Sequence, residues 1–242
     1  MGTYNTAKGI DVIILCGGRG KRLRAIVNDR PKPMAEFDQR PFLSILMEYV
    51  ASFGFQRFIL CTGYMAETIR KYYSASSLPW EILFSEEKKA LGTGGAIKRA
   101  ESLIRSDPFI VMNGDSFCRL DLDKFVNFHL KKRALLSIAL VDSKNNKNCG
   151  KVILDETQRI IRFKEKAIST VKHFNSVGIY LMDKDFFSYM KKGNKFSLEY
   201  DLFPCIIDKR CYGFKQDADL IDFGTPIGYK RAQYLFSKGP IR

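Results

Sequence analysis

Apolar residues in the first half of the chain follow two alternating spacings, which predict strands separated by helices. Residues 11–15 form a β-branched apolar run that ends at glycines, and the apolar side chains of residues 42–53 recur at helical spacing. The same tests predict strands at residues 57–61, 80–84, 109–112 and 135–141, and helices at residues 65–73, 94–104 and 122–131. Because these strands lack strict apolar–polar alternation, we expect an α/β fold with a mostly parallel sheet covered by helices on both faces.

The second half of the chain follows a different pattern. Residues 151–154 and 160–164 flank a turn-like segment and predict a β-hairpin, and residues 175–182 predict another strand. Helices are predicted near residues 184–191, 198–208 and 226–237, the last with Pro226 in its first turn. Since no linker or repeat divides the chain, we expect a single domain over residues 1–242 with halves at about 1–140 and 141–242, the second adding a substrate-binding subregion.

Composition narrows the class of protein. The 242 residues contain no apolar run long enough to cross a bilayer, and a cytoplasmic protein without a membrane partner is expected. The six cysteines include no C-x-x-C pair and there are two histidines, which argues against a zinc site or a disulfide framework. The net charge of +14 favours polyanionic ligands, but the basic residues are dispersed and no nucleic-acid-reading module is present, so no nucleic-acid partner is expected.

A glycine-rich turn follows the first predicted strand. Its sequence is Leu15-Cys16-Gly17-Gly18-Arg19-Gly20-Lys21-Arg22-Leu23. Glycines in this place let backbone N–H groups approach phosphate oxygens, although the turn matches neither a Walker A loop nor the dinucleotide fingerprint. The segment Pro31-Lys32-Pro33-Met34 comes shortly after, and its two prolines predict an extended, stiff backbone around Lys32. Arg22 and Lys32 beside such a turn suit a triphosphate whose pyrophosphate leaves as a stabilised anion.

These two segments resemble the signature of the nucleoside-triphosphate:sugar-phosphate nucleotidyltransferase family, L-A-G-G-x-G-T-R-L followed by P-K-P. The resemblance implies a Rossmann-like three-layer sandwich with a mixed, mostly parallel sheet, of the nucleotide-diphospho-sugar transferase type. It assigns Arg22 and Lys32 to catalysis and makes the first half of the chain nucleotide-binding and the second half sugar-binding. The signature loop would wrap the triphosphate with Leu15, Cys16, Gly17, Gly18 and Gly20.

A second segment, Leu91-Gly92-Thr93-Gly94-Gly95-Ala96, resembles the family's L-G-T-[AG]-G-A stretch, which contacts the nucleobase and ribose. The resemblance places Gly92, Thr93 and Gly95 at the nucleotide. Small residues that open a helix leave room for a flat base and expose N–H donors, while helix capping by Thr93 is the competing interpretation. Glu87, just before this segment, could reach a base edge.

Two carboxylates are candidate metal ligands. Asp115 ends the segment Asn113-Gly114-Asp115 after a predicted strand, where open α/β sheets bind ligands. Mg²⁺ prefers one or two carboxylates together with phosphate oxygens and water. The family resemblance makes Asp115 the first ligand of Mg²⁺ and supplies the second, Asp222, from Asp222-Phe223-Gly224-Thr225-Pro226; it also places Asn113 and Gly114 at the nucleotide.

Sugar-phosphate contacts are implied by three further segments. Phe163-Lys164-Glu165-Lys166 resembles the family's F-x-E-K-P, in which the Glu holds a sugar hydroxyl and the Lys the phosphate. Asn175-Ser176-Val177-Gly178-Ile179-Tyr180 resembles N-x-G-x-Y, whose Asn contacts the sugar, and Gly150 matches a glycine that passes close to it. The resemblance therefore assigns Gly150, Glu165, Lys166 and Asn175 to the sugar phosphate.

Taken together, the segments imply transfer of a nucleotidyl group from an NTP to a sugar 1-phosphate with release of pyrophosphate. Within the family, the combination on a short chain most resembles the bacterial D-glycero-α-D-manno-heptose 1-phosphate guanylyltransferases, which implies GTP and a manno-configured sugar. A uridylyl-, cytidylyl- or mannose-1-phosphate guanylyltransferase stays open, as does a non-catalytic sugar-nucleotide-binding regulator. A glycosyltransferase D-x-D motif at Asp121 and Asp123 is better explained as a helix cap. The oligomeric state is open, with a homodimer as one option.

Overall fold

The structure is a computed structural model that describes residues 6–20, 22–24, 26–142, 149–165, 172–191, 193 and 195–237. Lys166, one of the predicted phosphate ligands, and Lys21 of the glycine-rich turn lie outside the described residues. No helix of the described part is long and apolar enough to cross a membrane.

Strands and helices alternate through the first half of the chain, as predicted. The strands are β1 (Asp11–Leu15), β2 (Glu36–Phe37), β3 (Arg40–Pro41), β4 (Arg57–Thr62), β5 (Glu81–Glu86), β6 (Phe109–Asn113), β7 (Ser116–Cys118), β8 (Leu136–Asp142), β9 (Lys151–Leu154), β10 (Ile160–Lys164), β11 (Phe174–Met182), β12 (Cys211–Lys215) and β13 (Leu220–Asp222). The α-helices are α1 (Phe42–Ala51), α2 (Ala66–Ser74), α3 (Gly92–Ala100), α4 (Leu122–Lys132), α5 (Phe203–Ile206) and α6 (Pro226–Phe236).

A central sheet organises the molecule. Strands β5, β4, β1 and β6 run parallel in that spatial order, and β11 then pairs antiparallel with β6. Strand β8 pairs antiparallel with β11, and β12 runs parallel to β8. The hairpin β9–β10 joins the same sheet through the start of β11. The sheet is therefore mixed, and its four neighbouring strands from the first half of the chain are parallel, which confirms the predicted architecture.

Apolar side chains pack on both faces of this sheet. In β1, Val12 and Ile14 belong to one buried cluster and Ile13 belongs to the other, because successive residues of a strand point to opposite faces. Helices α1, α2, α4 and α6 cover the first face, whereas α3 and α5 cover the second. Burial on both faces explains why the strands read as continuous apolar runs rather than as alternating ones.

Two predicted helices differ in the structure. The helix predicted at residues 184–191 is a 3₁₀ helix at Lys184–Tyr189, and the one predicted at residues 198–208 begins as a π-helical turn, Leu198–Leu202, before α5. Pro204 within the first turn of α5 has no N–H to donate, which favours irregular hydrogen bonding in the turn before it. Strands β7, β12 and β13 were not predicted, because each is a short segment whose pairing partner is distant in sequence.

Helix α4 carries a buried histidine that belongs to the core. His129 is 2% exposed, and its Nδ1 lies 2.9 Å from the Oγ of Ser137 on β8. Burial lowers the pKa of His129 to about 4, against a smaller opposing effect of Asp183. The neutral ring is therefore the form that the fold accommodates.

The pH dependence of stability should report this histidine. Since the pKa of His129 is lower in the folded than in the unfolded state, the unfolded chain takes up a proton first, and stability falls as pH decreases from about 6.5 toward about 4. The largest effect is about 3 kcal/mol, from roughly 1.4 kcal/mol per pKa unit. Urea unfolding at several pH values in this range should give a free energy of unfolding that depends less steeply on pH in His129→Gln than in the wild type. An unchanged pH dependence of the free energy of unfolding in His129→Gln would assign the acid sensitivity to other groups.

Candidate active site

A cavity of about 510 Å³ lies at the carboxyl ends of β1 and β6. Its wall brings together residues that are distant in sequence, including the end of β1, the start of α3, the turn before β9 and the π-helical turn. Most of the residues predicted to bind ligands line it: Leu15, Cys16, Gly17, Gly18, Gly20, Arg22, Lys32, Glu87, Gly92, Thr93, Asn113, Asp115, Gly150, Glu165 and Asp222. This position, outside the carboxyl ends of parallel strands, is where open α/β sheets bind ligands.

The glycine-rich turn is held by backbone hydrogen bonds to the neighbouring strand. The Cys16 N–H donates to the Cys61 carbonyl at 2.8 Å, and the Tyr64 N–H donates to the Gly17 carbonyl at 3.2 Å. Within the described residues, the N–H groups of Gly17 and Gly18 donate no hydrogen bond to the protein. A fixed turn with unused N–H groups at a cavity wall has donors that can bind phosphate oxygens.

Lys32 is the centre of a charged cluster. Its Nζ lies 2.7 Å from Asp115 Oδ2 and 3.7 Å from Asp222 Oδ1, and the lysine is 7% exposed. Arg22 lies at the edge of the same cluster, with NH2 3.8 Å from Asp222 Oδ2. The two cations and two carboxylates that the sequence predicted separately therefore form one cluster in the cavity.

The pairing of two short strands that are distant in sequence brings the two carboxylates together. Strands β7 and β13 form a two-stranded antiparallel sheet in which Asp222 pairs with Ser116, the residue after Asp115. Phe223, between Asp222 and Gly224, is fully buried against Phe42, with ring centroids 4.3 Å apart. The strand pairing sets the position of Asp222, and the buried phenyl ring fixes the loop that carries it.

The backbone around Lys32 is not extended, and that prediction was wrong. Pro31 is extended, but Lys32–Met34 forms a 3₁₀ turn in which the Met34 N–H donates to the Pro31 carbonyl at 2.8 Å. Pro33 fits the turn because its φ is already in the helical range. A Cβ at position 224 would lie 2.5 Å from Lys32 Nζ, so the glycine of the D-x-G-T-P segment leaves room for the ammonium group.

The donor set fits a hard divalent cation. Asp115 and Asp222 approach the same ammonium group from two sides, and carboxylate oxygens are the ligands that Mg²⁺ prefers. Among the described residues, no group of three or more His, Cys, Asp or Glu side chains could hold a metal ion. A cation bound here would therefore complete its coordination with ligand oxygens or water, as Mg²⁺ commonly does.

Glu87 lines the cavity beside the glycine-rich turn. Its Oε2 accepts the Leu91 N–H at 2.9 Å, and its Oε1 is so close to Gly17 and Gly63 that a Cβ at either position would lie within 2.9 Å of it. Burial raises the pKa of Glu87, while the Leu91 N–H and Arg99 oppose the shift. A carboxylate fixed in this way can accept hydrogen bonds from a ligand.

The start of α3 differs from the prediction in one respect. The N–H groups of Gly94 and Gly95 both donate to the Phe196 carbonyl, at 3.1 and 3.4 Å, so they are not the exposed donors that we expected. Thr93 does not cap the helix either, because its hydroxyl donates to Glu199 Oε2 at 2.7 Å. The segment 196–199 lies over the helix start and uses these groups.

Three predicted ligands lie behind the cavity wall. The Gly95 N–H is used by Phe196, and the Gly114 N–H donates to the Leu15 carbonyl at 3.0 Å. Asn175 is 1% exposed, and its Oδ1 accepts a hydrogen bond from Lys151 Nζ at 2.7 Å. In each case a backbone N–H or side-chain acceptor is paired within the protein, and the contacts of these residues with a ligand stay predictions.

The sequence interpretation missed one part of the cavity wall. Glu199 and Tyr200, in the π-helical turn, and Ser197, which precedes it, line the cavity. Tyr180 also lines the cavity, and its hydroxyl donates to Glu199 Oε1 at 3.1 Å. Tyr180 was within a recognised segment, but no local pattern indicated Glu199, which lies 19 residues further along the chain.

The fold and cavity together define an α/β protein with a glycine-rich turn in the wall of a cavity at the carboxyl ends of parallel strands. The model of the family described as "Nucleotidyl transferase" matches residues 11–235, and the chain belongs to this family. Its members transfer nucleotidyl groups, and the chain is a nucleotidyltransferase of this kind.

Relatives extend the likeness over nearly the whole chain. The D-glycero-alpha-D-manno-heptose 1-phosphate guanylyltransferase of Aneurinibacillus thermoaerophilus is 38% identical over 225 residues, which are 93% of this chain and 97% of that protein. The enzyme of the same name from Campylobacter jejuni is 36% identical over 220 residues, covering 91% of this chain and 97% of that protein. Among solved structures, HddC from Yersinia pseudotuberculosis complexed with GMP-PN has a TM-score of 0.82 and 35% identity, covering 94% of this chain and 99% of that chain.

Replacing Glu87 should show how much burial of its carboxylate lowers the thermal stability of the protein. Burial raises the pKa of Glu87, so the folded protein binds a proton at this carboxyl more tightly than the unfolded chain does. The free energy of unfolding therefore decreases as pH rises through the folded-state pKa, because the carboxylate must then be charged in a partly buried place. We expect Glu87→Gln to raise the Tm by about 1–2 °C at pH 7.5 and by less at pH 4.5.

Glu86→Gln is the matched control, since Glu86 is exposed and pairs with Arg70 at 3.1 Å. This variant should show no rise in Tm at either pH. A Tm that is unchanged or lower in Glu87→Gln at pH 7.5 would indicate that the bond from the Leu91 N–H outweighs burial.

Proposed function

We propose that the chain transfers the guanylyl group of GTP to D-glycero-α-D-manno-heptose 1-phosphate, giving GDP-heptose and pyrophosphate. The observation that carries the proposal is the near full-length similarity to two proteins of that name, at 38% and 36% identity. The similarity to HddC complexed with GMP-PN supports a guanine nucleotide as ligand. The cavity has the elements that this chemistry needs: a phosphate-binding turn, two cations and two carboxylates.

The reaction is an in-line displacement at the α-phosphorus. An oxygen of the sugar phosphate forms a bond to this phosphorus, and the bond to the β-phosphate oxygen breaks, so that pyrophosphate leaves with the electron pair. Gly17 and Gly18 bind phosphate oxygens through their N–H groups. Arg22 and Lys32 stabilise the negative charge of the leaving group, which is the largest electrostatic change in the step.

Asp115 and Asp222 hold Mg²⁺ in this proposal. The ion supplies a positive charge that neutralises phosphate oxygens when substrates are bound. Both carboxylates lie against Lys32 in the protein alone, so the ammonium group compensates their charge before any ligand arrives. The rigid loop around Phe223 keeps Asp222 in place, and positioning of this kind is the main contribution that a protein makes to phosphoryl transfer.

The two halves of the chain take different substrates in this proposal. Residues up to about 140 bind the nucleotide, with Glu87 accepting hydrogen bonds from the N–H donors of guanine. Residues from about 141 bind the sugar phosphate, with Gly150 and Glu165 in the cavity wall and Lys166 at the phosphate. A reaction that consumes GTP is also consistent with the cytoplasmic location expected from the sequence.

Pyrophosphate release tests the proposal directly. Purified protein with Mg²⁺ is assayed with each of the four NTPs against heptose, mannose, glucose and galactose 1-phosphates. Release with GTP and the heptose, and its loss when EDTA removes the metal, is the expected result. Release with UTP, CTP or dTTP instead would keep the mechanism and overturn the guanylyl assignment. Folded protein that binds nucleotide and releases no pyrophosphate with any pair would favour the regulatory function.

Removing a metal carboxylate should reduce turnover strongly. We expect Asp115→Asn and Asp222→Asn each to lower kcat by at least about 100-fold, judging from the size of single electrostatic contributions in active sites. Asp219→Asn is the matched control, because Asp219 is exposed, lies three residues before Asp222 and pairs at the surface with Arg231. The control should keep wild-type kcat within about twofold. Normal turnover in folded Asp115→Asn would remove Asp115 from the metal site.

A further inference from the structure

Glu199 is held in the cavity wall by three hydroxyl groups. The Thr93 and Ser197 hydroxyls both donate to Oε2 at 2.7 Å, and the Tyr180 hydroxyl donates to Oε1 at 3.1 Å. The three donors come from α3, from the segment before the π-helical turn and from β11. Burial raises the pKa of Tyr180, so its hydroxyl keeps its proton and remains a donor. The carboxylate is therefore oriented by bonds from three separate parts of the fold.

The local backbone is built to present this carboxylate. Ser197 caps the π-helical turn through Oγ, which accepts the N–H groups of Glu199 and Tyr200 at 3.2 and 3.3 Å. Leu198 and Leu202 of the same turn are buried, which directs Glu199 toward the cavity. Irregular turns of this kind occur frequently at functional sites.

The hydrogen bonds leave acceptor capacity on Glu199. Each carboxylate oxygen can accept about two hydrogen bonds, so the group has roughly four acceptor positions. Three are used, and Oε1 accepts a single hydrogen bond from the described residues. Because Glu199 lines the cavity, the remaining position on Oε1 is available to a donor of a bound ligand.

We propose that Glu199 accepts a hydrogen bond from a hydroxyl group of the sugar 1-phosphate and contributes to the choice of sugar, and that Thr93 positions it. The inference rests on the proposed function, of which it specifies the sugar-binding side. A site that hydrogen-bonds a substrate hydroxyl rejects analogues that lack it, because the buried acceptor is then left without its donor. Glu199 is thus a specificity-determining residue and Thr93 a positioning residue.

The residues around Glu199 favour the sugar over the nucleotide as the ligand that donates a hydrogen bond to it. Tyr180 packs against Phe203 of α5, with ring centroids 5.1 Å apart, and Phe203 also packs against Phe163 of β10. Strand β10 leads directly to Glu165, so Glu199 belongs to the half of the cavity that carries Glu165 and Gly150. A carboxylate repels phosphate groups, which leaves hydroxyl groups as the matching donors on a sugar phosphate.

Thr93 connects this group to the nucleotide side of the cavity. Its Oγ1 accepts the Leu198 N–H at 2.8 Å and donates to Glu199, so one hydroxyl fixes both the backbone and the side chain of the turn. Gly92, beside it, has φ +74°, and a Cβ there would collide with the Phe196 carbonyl. The close approach of segment 196–199 to the start of α3 therefore depends on the glycine and on the threonine hydroxyl.

Binding of the two substrates, measured separately, tests the proposal. Isothermal titration gives the Kd of a GTP analogue that cannot be cleaved at the α-phosphate, and then the Kd of heptose 1-phosphate and mannose 1-phosphate to the protein saturated with that analogue. In Glu199→Gln we expect sugar-phosphate affinity to fall by at least about tenfold, with affinity for the GTP analogue within about twofold, since the charged acceptor for the sugar hydroxyl is lost. Thr93→Val should reproduce part of the loss, and Thr93→Ser should restore it.

Asp201→Asn is the matched control. Asp201 lies in the same turn and its Oδ2 accepts the Ser197 N–H at 2.7 Å, but it does not line the cavity. This variant should bind both ligands as the wild type does. Thermal unfolding of each variant shows whether it is folded, and the Thr93→Val and Thr93→Ser pair keeps the test valid if Glu199→Gln does not fold.

A panel of deoxy-mannose 1-phosphates identifies the hydroxyl. The wild type should discriminate strongly against one analogue, and Glu199→Gln should bind that analogue as well as it binds mannose 1-phosphate. Unchanged sugar affinity in Glu199→Gln, or an equal loss for both ligands, overturns the inference and leaves the proposed function intact. A loss confined to the GTP analogue would place Glu199 at the ribose and also overturns it. Wild-type protein that binds the GTP analogue but no sugar phosphate overturns both.

Discussion

The contact of the Lys32 ammonium group with two carboxylates sets the arrangement of the whole cavity. Asp115 and Asp222 are far apart in sequence and would repel each other, yet both lie beside one Nζ, at 2.7 and 3.7 Å. The pairing of strands β7 and β13 keeps the two carboxylates close to each other, and the buried ring of Phe223 fixes the loop that carries Asp222. A buried lysine is stable only when its charge is compensated, so the two carboxylates that we propose as metal ligands also keep Lys32 in place.

The second organising contact lies across the cavity, where segment 196–199 rests on the start of α3. The Phe196 carbonyl accepts two N–H groups of the helix, and Thr93 bonds to both Leu198 and Glu199. Backbone groups at a helix start need partners, and here another segment of the chain supplies them instead of a side-chain cap. The small residues at the start of α3 are therefore explained by the close packing of two chain segments, whether or not they also contact a nucleotide.

The sequence was sufficient to predict the alternation of strands and helices, the sheet buried on both faces and half of the residues that line the cavity. These features depend on local periodicity and on short segments such as the glycine-rich turn. The sequence could not reveal the pairing of β7 with β13 or the bond of Tyr180 to Glu199, because both join residues that are distant along the chain. It also gave no indication that the side-chain oxygen of Asn175 accepts a hydrogen bond from Lys151, because no local pattern joins these two residues.

The cavity collects several carboxylates in a protein whose ligands are anions, and the partners of these groups explain how this is possible. Asp115 and Asp222 lie against cations, Glu87 accepts a backbone N–H, and Glu199 accepts bonds from hydroxyl groups. The three environments differ: two carboxylates with a shared lysine, a carboxylate acceptor beside the glycine-rich turn, and a carboxylate acceptor beside Tyr180 of β11. A dispersed excess of positive charge, +14 over the chain, keeps the surrounding field attractive to phosphates. The carboxylates in the wall therefore act locally, through hydrogen bonds and, in the proposed function, by holding a metal ion, while attraction of the substrates depends on the charge of the protein as a whole.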